Sequence, residues 1–180
     1  IMADLVLNHV SASHRWVEEF RNDIDPGRRC LLTASPDTDL SAVVRPRTAE
    51  LLIPCETTNG VKHLWCTFSS DQVDVNWAEP EVLLETLRTL HRLLEAGVRW
   101  IRLDAVAYAH KRLGTTCVHL EETHELVRLL RDLLEWRCPD ALLISETNVP
   151  HAENLSYLRD GKQAHLAYNF TLAPLLTHAL

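Results

Sequence analysis

The chain has 180 residues, enough to bury a real core, and 25 acidic against 18 basic side chains give it a formal charge of -7 at neutral pH. That balance, with no clustered basic stretch, argues against nucleic acid or an anionic membrane surface as a partner. Its apolar runs are a few residues long, far short of a bilayer span, and nothing in it resembles a signal peptide.

The first residues, Ile1-Met-Ala-Asp-Leu-Val-Leu7, are strand-like from the start, and the last, Leu172-Ala-Pro-Leu-Leu-Thr-His-Ala-Leu180, are apolar. We therefore expect an internal piece of a longer protein. Met2 to Asn8 reads as a strand carrying Asp4 inward and ending in the polar pair Asn8-His9. From Ser11 to about Asp71 periodicity collapses, and Asp25-Pro-Gly27, Ser35-Pro-Asp37, Arg45-Pro-Arg47 and Asn59-Gly60 space turn signals through a polar segment. A bare loop of that length does not suit a compact domain, so residues 11–71 are expected to form a small inserted subdomain, with His63 to Phe68 its clearest strand.

Pro80 then marks a helix start, with Leu83, Leu87, Leu90 and Leu94 on one stripe and Gly97 at its end. The run Gly97-Val-Arg-Trp-Ile-Arg-Leu-Asp104 reads as a strand with Val98, Trp100, Arg102 and Asp104 on its inward parity. A second amphipathic helix spans Glu121 to Trp136, with Leu126, Leu129, Leu130, Leu133 and Leu134 as its stripe and Pro139 beyond it. Ala141 to Glu146 is another apolar strand ending in a carboxylate. A short helix near Asn154 to Leu158, a turn at Gly161 and a strand-like His165 to Phe170 complete the chain.

Strands alternating with helices demand a parallel sheet with right-handed crossovers. Polar residues at the same end of each strand fit an α/β fold, a partial (β/α)₈ barrel built from residues 1–10 and 72–180. A doubly wound sheet is the alternative, though neither a G-x-G-x-x-G fingerprint nor a P-loop is present. Charges at the end of a core strand are costly to bury unless paired, so Arg102 and Asp104 either cap the strand structurally or face a ligand cleft. Asp104 and Glu146 close successive strands, and two carboxyl groups about 5–5.5 Å apart are the equipment of retaining glycoside chemistry. In that reading Arg102 keeps Asp104 ionised as nucleophile, while Glu146 carries the proton for the leaving group.

Asp4-Leu-Val-Leu-Asn-His9, Gln72-Val-Asp-Val-Asn76, Gly97 to Ala105 and Leu143-Ile-Ser-Glu146 resemble, in order and spacing, four short regions of the α-amylase family of glycoside hydrolases. The resemblance implies that the strands here are about strands 3 to 6 of the barrel, with the subdomain inserted after the third, Asp104 as nucleophile, Glu146 as acid/base, His9 and Arg102 in the sugar subsite, and Asp4 and Asn8 as structural support. Within the family, Arg45-Pro-Arg47, Leu64 to Phe68, Asp104 to Tyr108, Gly114 to Cys117 and the closing apolar segment are similar to the sucrose phosphorylase branch. That likeness implies transfer of a glucosyl group through a covalent intermediate to inorganic phosphate, with Phe68 and Tyr108 shaping the glucose pocket. It also puts Gln72 near the acceptor and Arg47 on phosphate or fructose. An aromatic face suits a sugar ring and a guanidinium fork suits phosphate. Thr147-Asn-Val-Pro-His-Ala-Glu-Asn154 departs from the Glu-Val-His pattern of sucrose phosphorylases and looks more like glucosylglycerate phosphorylases.

The expected partners are therefore a small sugar and phosphate as co-substrate, with no cofactor and no metal; oligomeric state stays open. The family's third carboxylate would lie outside this stretch, so the isolated piece is expected to be inactive, with exposed sheet edges. Histidine spacing gives no H-E-x-x-H pattern. An α-glucosidase or transglucosidase shares every motif named, and a catalytically inactive binding subunit is the reading from another class, disfavoured because both carboxylates are present.

Overall fold

The computed structural model describes residues 1–179. Its centre is a four-stranded, all-parallel sheet in the order β1 (Met2–Val6), β6 (Trp100–Asp104), β7 (Leu142–Ser145), β8 (Leu166–Ala167). Helix α3 (Pro80–Glu95) crosses from the insertion to β6 and α4 (Glu121–Arg137) crosses from β6 to β7. Both pack on one face of the sheet. Leu5, Ile101, Leu103 and Leu143 from the strands meet Leu90, Leu94, Leu126, Leu130 and Leu134 from the helices in the largest core cluster. Removing a leucine of this kind from water contributes about 1.5–3 kcal/mol.

Pro80 occupies the first turn of α3, where its missing N–H costs nothing, and Gly97 takes the left-handed conformation, φ +85°, that turns the chain into β6. The buried face of α4 includes Thr123, His124 and Val127 as well as Leu126, Leu130 and Leu134, but Leu133 is only half-buried and Leu129 is 39% exposed. The stripe is rotated because His124 stacks on the buried ring of Tyr157, centroids 4.6 Å apart, and fixes which side of the helix faces inward. Helix α5 (His151–Leu155) starts at Pro150, earlier than its leucines suggest, and a 3₁₀ segment (Ser156–Gly161) follows. The ladder of β8 covers only two residues of the expected His165 to Phe170 strand, because Tyr168 already turns to hydrogen-bond Ser145 and Asn154.

Residues between β1 and α3 carry more order than turn signals alone suggest. Strand β2 (His9–Ser11) pairs antiparallel with β5 (Gln72–Asp74), and β3 (Leu52–Thr57) forms a hairpin with β4 (Gly60–Trp65) across Thr58 and Asn59. Helix α1 (Arg15–Arg21) is capped by His14, whose Nδ1 accepts the Trp16 N–H at 3.2 Å, and α2 (Gly27–Cys30) follows it. Trp16, Val17, Phe20, Cys30, Leu31, Leu64 and Val73 make a second core here. All five cysteines are free and buried, and burial pushes the Cys66 thiol up to about 12.

The sheet face away from the helices carries Asp4, Val6, Trp100, Arg102 and Asp104. Trp100, placed inward by its parity, is 46% exposed because nothing among the described residues covers that level of the sheet. Helix α6 (Leu172–Ala179) is exposed along its length. Among the described residues no helix is long and apolar enough to cross a membrane.

Candidate active site

Register builds the site. Asp4 of β1 stands opposite Arg102 of β6, and Asp104 lies two residues further on the same face. Arg102 is the hub: its Nη1 is 3.0 Å from Asp4 and 2.8 Å from Asp104, and its Nη2 is 3.5 Å from Oε1 of Glu146, at the end of β7. Three carboxylates thus share one guanidinium whose side chain is 18% exposed. Burial works against the charge of Arg102, but the hydrogen bond to Asp4 and the charges of Glu146, Asp4 and Asp104 outweigh it and raise its pKa above the ordinary value.

Immediately after Asp104 the backbone bends sharply. Ala105 is in the left-handed region, φ 51°, a conformation that L-residues other than glycine adopt rarely and at a cost. The bend aims its N–H at Glu146, whose Oε2 accepts it at 3.0 Å, and the Val106 N–H donates to the Glu146 carbonyl at 3.3 Å. One acid is therefore held by the turn that follows the other.

A hollow of about 450 Å³ opens over these groups, lined by His9, Arg47, Phe68, Gln72, Asp104 and Glu146, as well as by Ser69 and Ala105. A second, of about 520 Å³, shares Arg47, Phe68 and Glu146 and adds Tyr108, Thr147 and Phe170. Phe68 meets Tyr108 edge to face at 5.3 Å and His9 at 5.7 Å, so an aromatic wall flanks the carboxylates. Gln72 donates to Nε2 of His9 at 2.8 Å while its own oxygen accepts from Ser69 at 2.7 Å. A ring nitrogen that accepts must be unprotonated; burial lowers the His9 pKa accordingly, with Asp74 and Asp104 offsetting part of the effect. Burial also raises the Tyr108 phenol, helped by the charge of Glu146. Arg47 is exposed and has no hydrogen-bonded or carboxylate partner among the described residues, so its fork is open to an anion.

Asn8 does not enter the hollow. It is fully buried and its side-chain oxygen accepts from Lys111, which also pairs with the buried Asp74. Asp74 further accepts the Thr67 N–H at 3.0 Å and the Thr67 hydroxyl at 2.5 Å. This ammonium lashes β5 and the end of β1 together beneath His9 and Gln72. Lys111 escapes a reading of the sequence, since its partners lie far along the chain and no local pattern marks a buried lysine. Tyr168, whose ring lies 5.4 Å from the Arg102 guanidinium carbon, escapes for the same reason. Among the described residues no group of three or more His, Cys, Asp or Glu is placed to hold a metal ion.

A hollow fringed by carboxylates and aromatic rings, at the carboxyl edge of a parallel sheet with helices on its far face, defines the site of a (β/α)₈-type fold. The chain belongs to the α-amylase family: the model of the alpha amylase catalytic domain matches residues 1–179. It is 49% identical over 179 residues to the glucosylglycerate phosphorylase of Allomeiothermus silvanus, covering 99% of this chain and 32% of that protein. It is 42% identical over 182 residues to the glucosylglycerate phosphorylase of Escherichia coli, covering 100% of this chain and 33% of that one. The chain thus spans about a third of the length of these relatives. The crystal structure of sucrose 6F-phosphate phosphorylase from Thermoanaerobacter thermosaccharolyticum has the same fold, with a TM-score of 0.81 at 22% identity over 97% of this chain and 38% of that one.

Proposed function

We propose that the protein containing this chain is a retaining α-glucosyl phosphorylase that cleaves a glucosylglycerate-type α-glucoside, or sucrose, and passes the glucosyl group to inorganic phosphate. In this reading residues 1–10 and 72–180 belong to the catalytic barrel and 11–71 to a subdomain inserted in it. The observation that carries it is the single guanidinium of Arg102 drawing Asp104 and Glu146 together at the ends of adjacent strands, in one hollow.

The Asp104 carboxylate attacks the anomeric carbon while Glu146 gives its proton to the departing glycosidic oxygen. A glucosyl ester of Asp104 and the free acceptor result. Phosphate then attacks the same carbon, its O–H proton passing to Glu146, and the Asp104 carboxylate leaves. Two displacements at one carbon retain the α configuration. Phe68 and Tyr108 enclose the glucose ring, His9 and Gln72 bind its hydroxyls or those of the acceptor, and Arg47 offers its fork to phosphate or an acceptor carboxylate. Support for an acidic acceptor comes from the relatives that carry the glucosylglycerate name.

The test is phosphate release from α-glucose 1-phosphate by the full-length protein, with glycerate, fructose or glycerol as acceptor. Release with glycerate is expected. No release with any acceptor, together with liberation of free glucose from sucrose or maltose, would instead establish a hydrolase of the same family. Asp104→Asn should abolish either activity with the thermal unfolding midpoint unchanged.

A further inference from the structure

We infer that Tyr168 is a positioning residue, one that holds the Arg102 guanidinium in its bridging place between Asp104 and Glu146. The inference rests on the glucosyl-transfer reading above and adds a residue to it. A guanidinium that must reach three carboxylates at once has several ways of satisfying two of them and abandoning the third. A flat π face beside it restricts those alternatives, since a cation within about 6 Å of a ring centroid is attracted to the face. Tyr168 provides that face, with the ring centroid 5.4 Å from the guanidinium carbon.

The ring itself is anchored through its backbone. The Tyr168 N–H donates to the carbonyl of Ser145, the residue before Glu146, at 2.9 Å, and its own carbonyl accepts from Nδ2 of Asn154 at 2.7 Å. Asn154 is 8% exposed, and its Oδ1 is buried without a partner, so the amide is committed to that single bond. Phe170 meets the Tyr168 ring at 5.6 Å. The phenol hydroxyl has no hydrogen bond among the described residues, which leaves the ring face as the working part. Tyr168 thus binds Arg102 to the same strand end that carries Glu146.

In the full-length protein, Tyr168→Leu and Tyr168→Gln are expected to lower kcat about tenfold with KM for the donor within about twofold, while Tyr168→Phe stays within about twofold of the parent in both. Tyr168 is 39% exposed, so loss of its ring leaves the core intact, and two replacements of different polarity guard against a folding defect peculiar to one. If Tyr168 works through Arg102, adding Tyr168→Leu to Arg102→Lys costs no further turnover of α-glucosyl fluoride. A Phe variant as slow as Leu, a loss confined to KM, an unchanged kcat in Leu and Gln, or losses that multiply on the Arg102→Lys background would each overturn the assignment. The parent separates the two readings: hydrolysis in place of phosphorolysis corrects the acceptor and leaves Tyr168 testable. A parent without any glucosyl transfer refutes both.

Discussion

Arg102 and Glu146, on neighbouring parallel strands, face each other with Nη2 and Oε1 3.5 Å apart, while the same guanidinium holds Asp104 at the shorter distance of 2.8 Å. The two acids are therefore inequivalent before any substrate arrives. Asp104 has the tighter hydrogen bond, which suits the nucleophile role proposed for it. Glu146 has the looser one, plus a backbone N–H from the turn that follows Asp104.

Removing the hub should loosen all three of its carboxylate partners at once. Arg102→Ala leaves Asp4, Asp104 and Glu146 sharing one edge without the cation that holds them in place. A fall in kcat/KM of roughly 100-fold or more is expected, with Arg102→Lys intermediate because a point charge cannot serve three partners as a fork does. Steady-state kinetics on the purified full-length variants decide it.

Glu146→Gln separates proton delivery from nucleophilic attack. Donors with a poor leaving group should lose about 100-fold or more in kcat, whereas α-glucosyl fluoride, whose leaving group needs little protonation, should still form the glucosyl-enzyme. Equal losses with both donors would remove Glu146 from the acid role.

Lys111 is a matter of stability. Its side chain is 4% exposed and that of Asp74 is 0% exposed, and burial lowers the lysine's pKa although Asp74 opposes that. Lys111→Met strands the Asp74 carboxylate in the interior and should destabilise the protein by about 3–5 kcal/mol, read from urea unfolding; pairing it with Asp74→Asn should recover part of the loss.

Acid sensitivity follows from the histidines. Burial depresses the pKa of His9, His110 and His119 below the ordinary value of 6.5, the unfolded value, so the unfolded chain binds more protons as pH falls. Their contribution is fully present above 6.5 and is lost progressively as pH drops through the lower folded-state values. His165 acts in the same direction: burial lowers its pKa, and its Nδ1, which accepts the Leu143 N–H at 2.9 Å, can do so only when unprotonated. Thermal midpoints measured from about pH 7.5 down to about pH 5 should fall; a flat profile would contradict the depressed values.

Much of the fold is local and so could be read from the chain. Pro80 and Gly97 bracket α3, Pro139 follows α4, and the polar ends of Met2–Val6, Trp100–Asp104 and Leu142–Ser145 announce the edge where the hollow lies. Helix α1 is not legible in the chain because its start depends on a histidine cap, an uncommon one, within a stretch dense in turn residues. Leu129 lies outside the buried stripe because periodicity gives the width of an apolar stripe, while packing against Tyr157 decides its rotation.

Alternating apolar strands with leucine-striped helices already commits this chain to a parallel sheet with acids at one edge, because side-chain period and turn chemistry act over a few residues and need no partner. Which acids share a cation, why Ala105 bends to serve Glu146, and how Lys111 and Tyr168 come to lie beneath and beside the site depend on contacts between distant segments. Those are set by strand register and by the cost of leaving a charge unpaired, and they come into being only when the strands are laid side by side.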